Sequence, residues 1–487
     1  MSDQPLAPPP PLAPPTAHRP ATPMLQQIQD RPGVRDSLMG VPLPLKAAGA
    51  VVGLVTLALL AGVGFLVVDG RLEGQWYDVR DLGNATAGLR GWLQDEGVDH
   101  RIIWVILGTI GGIGILSVLG GWLLIGSWVE RRVLAKFQIR SGPNRTGPFG
   151  LLQPIADAVK LMAKEIVIPR GADRFLYYIP PVLIFVPAML GWGPVPWAER
   201  MTYLDIDVGV LYTIAISSIG VLAVFLAGWS SNNHYSLLGA MRTVAMMVSY
   251  EIPISLSLLS VVLLTQSMKL SEIVAFQDHY HVWLIVLIPF AAFAFLFSST
   301  AEINRTPNDI GEAESEIVAG FYTEYSGMKA GLFMGVELGH AILVGALMST
   351  FFLGGYTMFG LEEWIPGYLI LATKIAAIYF LFVWLRGTLP RFRLDQLMGY
   401  AWKFLIPIGI LQAFVVAIEA SVFARSDAPA LITLGAFAVV NLAITVVIVR
   451  FWADRLGYAP SQHATRPQLI ADGTLGGLKA ARKIREA

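Results

Sequence analysis

Ten stretches of this chain are long and apolar enough to demand lipid rather than a water-soluble core. They lie at about 47–68, 103–128, 174–195, 208–229, 244–265, 282–299, 327–353, 368–387, 402–420 and 431–452. A run of about 18 or more apolar residues matches the hydrocarbon thickness as a helix. Inside that hydrocarbon the backbone can satisfy its own polar groups only as a helix or a closed barrel. The expected fold is therefore all-α, a polytopic integral membrane helix bundle of about ten transmembrane helices. Composition agrees, with 55% hydrophobic and 14% charged residues, against about 25% charged in soluble domains. The first run starts late and has no close small-residue cleavage site after it, so it reads as an uncleaved helix rather than a signal peptide.

The charge pattern gives an orientation. The segments 130–174, 386–403 and 450–487 carry nine, four and seven basic residues against four, one and three acidic ones. All three fall on one side of a ten-helix topology, the cytoplasmic side by the positive-inside rule. Both termini are then cytoplasmic. The segment 300–326 is cytoplasmic by parity yet acidic, which sets it apart. Net formal charge is zero, and no nucleic-acid partner is expected. Cysteine is absent, which excludes disulfides and cysteine-ligated zinc or iron–sulfur centres in this chain. Neither a phosphate-cradling glycine loop nor a histidine pattern of metal-ligand spacing is present. Without an internal repeat, a proton-coupled secondary transporter is a weaker reading.

Three stretches carry chemistry. The first runs from Glu130 to Glu165, with Arg131, Arg132, Lys136 and Arg140 ahead of the turn dipeptides Gly142-Pro143 and Gly147-Pro148. Beyond them Leu152, Ile155, Val159 and Met162 share one helical face. An interfacial helix with basic anchors is one reading; the mouth of a pocket for a lipid-like molecule is the other. The second stretch, Gly228 to Glu251, places Glu251 inside an apolar run among Met246, Met247, Val248 and Tyr250. The third, Glu302 to Glu337, holds six glutamates and one aspartate against one arginine and one lysine. Glu302 and Arg305 are spaced to pair across a helical turn. Glu312 and Glu316 are helical neighbours while Glu314 points elsewhere. Ile310, Ile317, Phe321 and Tyr325 suggest one apolar stripe. Glu337 lies well inside the next apolar run, where acid is expensive and calls for a functional reason. His340 shares its face, and a hydrogen-bonded structural histidine is the plainer reading there. Lys374 reads as a structural partner of a carboxylate or backbone carbonyl.

Together the strings ERRVLAKFQIRSGPNRTGPFGLLQPIADAVKLMAKE, GWSSNNHYSLLGAMR, SYE, AEINR, EAESEIVAGFYTEYSG and RGTLPRFRLDQLMGYAWKFLIP resemble the H subunit of bacterial respiratory complex I, the NADH:quinone oxidoreductase. The mitochondrial counterpart is NADH dehydrogenase subunit 1. The similarity covers about 103–420. The resemblance implies a membrane subunit that is not catalytically complete alone and binds no cofactor of its own. It would wall a quinone chamber and begin an acidic path coupling quinone reduction to proton translocation. Quinone is the substrate, and NADH, FMN and iron–sulfur clusters belong to partner subunits. Hydrophilic-arm quinone-site subunits, and small and antiporter-like membrane subunits, are the implied partners, in a bacterial inner membrane. Residue by residue it places Arg131, Arg140 and Asp157 at the quinone chamber. It places Glu251, Glu302, Glu312, Glu314, Glu316 and Glu337 on the proton path, with Arg305 as their cationic partner. No catalytic residue and no metal ligand is implied.

The expected organisation is a disordered Pro-rich tail at 1–46, an extra helix at 47–68 and a non-cytoplasmic loop at 69–102. An eight-helix family core follows at 103–420, then an extra helix within 421–452 and a basic tail at 453–487. Four positions depart from the family pattern. Asn308 stands for the usual Phe, Met246 for Gln, Leu338 for Tyr and His234 for Lys. The nearest competing reading is the membrane anchor of a related energy-converting hydrogenase, against which the string GPNRTGPFGLLQP and the EAESE run weigh.

Overall fold

The proline-rich beginning of the chain and the 47–68 run lie outside the described residues of the computed structural model, which are 82–199, 201–311, 319–361, 364–425 and 429–455. The first elements are α1 (Leu82–Asp95), α2 (His100–Phe137), α3 (Gln153–Ala163), α4 (Arg174–Leu190), α5 (Gly209–Ser230) and α6 (His234–Thr265). Next come α7 (Leu270–Tyr280), α8 (Leu284–Leu287), α9 (Pro289–Glu302), α10 (Met328–Phe352) and α11 (Gly367–Thr388). The last two are α12 (Leu394–Arg425), which contains a π turn at Ala401–Leu405, and α13 (Ala430–Arg455). Their starts follow capping rules. Asp99, Asp173 and Asn233 each accept hydrogen bonds from backbone N–H groups of the first turn they precede, which satisfies donors that have no partner inside the helix.

Among the described residues, seven helices are long and apolar enough to cross a membrane: α2, α5, α6, α10, α11, α12 and α13. Two expected spans fall short. The run at 174–195 yields the 17-residue α4, about 26 Å long at the usual rise. The run at 282–299 is divided into α8 and α9 at Ile288, whose φ of −129° and ψ of 65° are not helical. Pro289 follows, and the ring of a proline disfavours helical backbone in the residue before it.

Helix α5 lies between α4 and α6, while α6 packs on α9 and α12, and α10 on α11 and α4. Lipid is as apolar as these side chains, so close packing rather than expulsion from water holds such helices together. The largest buried cluster joins Phe295, Ile342, Phe351, Ile375 and Val416. A second gathers Met246, Tyr250, Ile310, Leu397 and Leu405, and a third Tyr177, Val224, Phe321, Tyr325 and Phe333. The expected single stripe is therefore divided. Ile310, which lies outside any helix, belongs to one cluster, and Phe321 and Tyr325, at and after a separate 3-10 turn at Gly320–Tyr322, belong to another. Ile317 lies outside the described residues. The described residues on either side of the acidic run, Gly311 and Gly320, approach α6 closely. A Cβ on Gly239 would lie 2.7 Å from the Gly320 Cα, and one on Gly311 would lie 1.9 Å from the Thr243 hydroxyl.

Lys374 donates to the carbonyls of Leu353, Gly355 and Thr357 at 2.6, 2.9 and 2.6 Å. It thereby closes the end of α10, the structural role expected of it. The C-terminal α13 is tied to α12 by buried polar groups: Gln412 donates to Asn441 at 2.9 Å, and Asn441 to Glu419 at 2.8 Å.

Candidate functional site

The site begins where α9 ends. Glu302 is the last residue of that helix, and Asn304 follows in the left-handed region with φ of 55°. The chain therefore leaves the helix axis before Arg305, and the expected turn-spaced pairing of Arg305 with Glu302 is replaced by another. Arg305 Nη1 lies 2.6 Å from Glu130 Oε1, and its Nε lies 3.9 Å from Glu337 Oε1. The Nη1 approach is close but poorly aligned, since that atom completes no geometrically sound hydrogen bond; the contact is an ion pair. Glu130 also receives Arg386 and lies 3.0 Å from the Tyr379 hydroxyl. Side chains of Arg305 and Glu130 are 7% and 9% exposed, so both charges sit away from water.

Glu130, supplied by α2, and Arg386, supplied by α11, are the members of this cluster that sequence reasoning missed. An acid at the end of a membrane helix is ordinary, and only its position at the head of the Glu130-Arg131-Arg132 string marks it. With Glu337 and Arg386 the cluster balances two carboxylates against two guanidinium groups. Removing one partner of such a buried set leaves an uncompensated charge, which costs about 3–5 kcal/mol.

Beside this cluster lie two small cavities. One of about 40 Å³ is bordered by Thr213, Ser217, Ser299, Glu302 and His340; the other, of about 30 Å³, by Asn304, Glu302, Glu337 and His340. Each has room for about two waters, given that one needs roughly 10–15 Å³. Glu302 and Glu251 are near enough to interact electrostatically, and Ser217, which shares a cavity wall with Glu302, donates to the Ile214 carbonyl at 2.9 Å. Ser218, the next residue along α5, makes a short hydrogen bond to Glu251. Two adjacent hydroxyls of α5 thus lie beside two carboxyls from different helices. Met246 and Leu338 are buried in apolar clusters. Asn308 is fully buried and donates to the Thr300 hydroxyl at 2.7 Å.

On the outer side, the end of α2, the segment after it and helix α3 form a second group. Arg131 Nη1 lies 2.5 Å from Asp157 Oδ2, and Gln153 donates to the other carboxylate oxygen at 3.2 Å. Burial pushes the Asp157 carboxyl up, but the hydrogen bonds from Arg131 and Gln153 outweigh it and hold the group below its ordinary range. Arg140 is exposed beyond the helix end and donates to Gln138 at 2.7 Å, not to Asp157. Ile155 and Met162, on the apolar face of α3, are 46% and 71% exposed. Glu312, Glu314 and Glu316 lie outside the described residues. Just before them, Asp309 pairs with Arg391 at 2.7 Å, and just after them Glu324 accepts from Asn233 at 2.6 Å. Among the described residues no group of three or more His, Asp or Glu side chains could hold a metal ion.

Fold and site together define a multi-pass, all-α membrane protein with an ion cluster and acid-lined cavities inside the bundle. The family model for NADH dehydrogenase matches residues 110–417. The H subunit of the NADH-quinone oxidoreductase of Dehalococcoides mccartyi (strain CBDB1) is 44% identical over 353 residues, covering 72% of this chain and 96% of that protein. An H subunit of the same enzyme from Geobacter metallireducens is 46% identical over 297 residues, covering 59% and 88%. That of Rickettsia canadensis is 46% identical over 305 residues, covering 62% and 89%. The chain belongs to the NADH dehydrogenase family as an H subunit of NADH-quinone oxidoreductase.

Proposed function

We propose that this subunit walls the quinone chamber of its complex and carries the first part of the acidic path that links quinone reduction to proton translocation. The observation that carries the reading is the ion cluster of Glu130, Arg305 and Glu337 beside the two cavities bordered by Glu302. Two electrons delivered to a quinone create a demand for two protons. Closely spaced carboxyls answer that demand as a coupled set, because a proton removed from one alters the others. Glu251, Glu302 and Glu337 form the part of the path inside the bundle, with Glu312, Glu314 and Glu316 completing it toward the chamber. Arg305 is their counter-charge. The chamber is bounded by the Arg131–Asp157 pair, with Arg140 nearby in sequence.

Electrons arrive from partner subunits, which hold FMN and the iron–sulfur clusters and oxidise NADH. The exposed apolar face of α3 meets quinone or those partners. The full topology is ten crossings in a bacterial inner membrane, with both termini cytoplasmic; α4 and the α8–α9 pair complete crossings despite their length. The test is Glu302→Gln and Glu337→Gln in the assembled complex. Each is expected to lower proton pumping and quinone-linked turnover by on the order of 100-fold, the scale of a lost proton-transfer group, while the subunit still assembles. Pumping at the parental rate in both variants would remove these residues from the path.

A further inference from the structure

The two cavities are stacked along the helices. On α10, which runs from Met328 to Phe352, the smaller one is bordered by Phe333, Val336 and Glu337, and the larger by Leu343, Val344 and Leu347. On α6 the smaller touches Met247 and the larger Ile254 and Leu258. On α5, which runs the opposite way, the smaller touches Gly220 and Val224 and the larger Thr213 and Ser217. Three helices therefore agree that one cavity lies toward the Met328 end of α10 and the other toward its Phe352 end. Among the described residues, only Glu302 and His340 border both.

We propose that His340 is a proton-transfer residue, joining the two cavities and extending the acidic path toward the Phe352 end of α10. The proposal rests on the acidic-path reading above and adds to it the group that carries the proton past Glu302. Imidazole suits the position because it has two nitrogens on opposite edges of one ring, one bare and one bearing hydrogen in the neutral form. A proton from water in the Glu337 cavity adds to the bare nitrogen. The proton on the other nitrogen then leaves to water in the second cavity, and reorientation of the ring restores the starting form. No electron moves, and one proton enters for each that leaves.

The ionisable groups facing this site are Glu302 from α9 and Glu337 from α10 itself. The second cavity offers only hydroxyls beyond them: Thr213 and Ser217 from α5 and Ser299 from α9. Water and hydroxyls can pass a proton on, but among the described residues Glu337 borders one cavity only, and Glu302 and His340 are the proton-binding groups that border both. The histidine thus has a use that a purely structural, hydrogen-bonded ring would lack.

The test uses membranes carrying the assembled complex with His340→Gln or His340→Ala. Gln keeps polarity but cannot carry a proton, and Ala opens the wall to added imidazole. Pumping linked to NADH oxidation is expected to fall on the order of 100-fold in both. Added imidazole is expected to restore it in the Ala variant only, with rescue following the basicity of the imidazole derivative used. Parental pumping and pH profile in the Gln variant would overturn the inference, as would an Ala variant that imidazole does not restore. Failure of both variants to assemble would assign His340 a structural role and overturn it equally. Glu302→Gln is measured in parallel. If it abolishes pumping while His340→Gln does not, only this inference falls; if neither matters, the acidic-path reading falls with it.

Discussion

Arg305 joins acids from two different helices. Its guanidinium is shared between Glu130 of α2 and Glu337 of α10, and it leaves the backbone at a left-handed turn just past α9. Two helices and the segment after a third therefore meet on one cation. Arg305→Ala strands Glu130 with Arg386 as its remaining cation and leaves Glu337 without this one. The expected loss is about 3–5 kcal/mol, read as a lowered melting midpoint of the solubilised complex and a reduced content of this subunit. Arg305→Lys keeps the charge but not the fork that reaches two acids, and is expected to fall between parent and Ala. An Ala variant that melts with the parent would show the cluster to be energetically idle. None of this is legible from spacing. The residues three apart, Glu302 and Arg305, invite pairing, whereas the helix stops before that pairing can form. The true partner, Glu130, comes from a distant part of the chain that only the folded bundle brings near.

Among the elements, α3 shows how far periodicity carries. The apolar step of Leu152, Ile155, Val159 and Met162 is that of a helix, and the helix is there, at Gln153–Ala163. Its tether, the Arg131–Asp157 pair, is legible in the sequence as two site residues but not as one contact. Arg140, which the resemblance groups with them, holds Gln138. Asp157→Asn or Arg131→Ala is expected to raise the KM for quinone about tenfold, equivalent to roughly 1.4 kcal/mol. Unchanged KM values for several quinones would detach α3 from the chamber. The pH dependence has a definite sign. The folded-state carboxyl of Asp157 titrates below its ordinary value of 3.8. Its contribution is thus fully present above that value and is lost only as pH falls through the lower, folded one. Quinone KM is expected to show no step from Asp157 between pH 8 and 5; a step there that disappears in Asp157→Asn would contradict the assignment. The division at Ile288 has a cause visible in the sequence, Pro289, yet the apolar run passes through it unbroken, so hydropathy alone joins α8 to α9.

At the scale of the whole molecule, the bilayer makes helices readable because every crossing must be a long apolar run, while polar contacts between crossings leave no periodic trace. The fastening of α13 is one such contact. Asn441 is fully buried between Gln412 and Glu419, and Asn441→Leu is expected to cost about 1–3 kcal/mol by leaving buried polar groups unpaired. Faster amide exchange in α13 and the second half of α12 would register the loss; unchanged exchange would show that apolar packing alone holds the helix. The short α4 has a consequence of a different kind. Its Pro187 border and the Ser299 and Glu302 border of the broken α9 face the same cavity. The two elements with the least apolar length therefore meet at one place, and a bilayer adjusts to such short spans by thinning or by admitting polar groups from its surface. Membrane voltage drops across whatever excludes water, at about 2.3 kcal/mol per elementary charge per 100 mV over the full thickness. On the ten-crossing topology proposed above, the insulating layer around Glu302 is expected to be thinner than at the seven longer helices. A charge displaced there would meet a steeper gradient over a shorter distance, and small rearrangements among these acids are then expected to couple to the membrane potential more strongly than their travel alone would indicate.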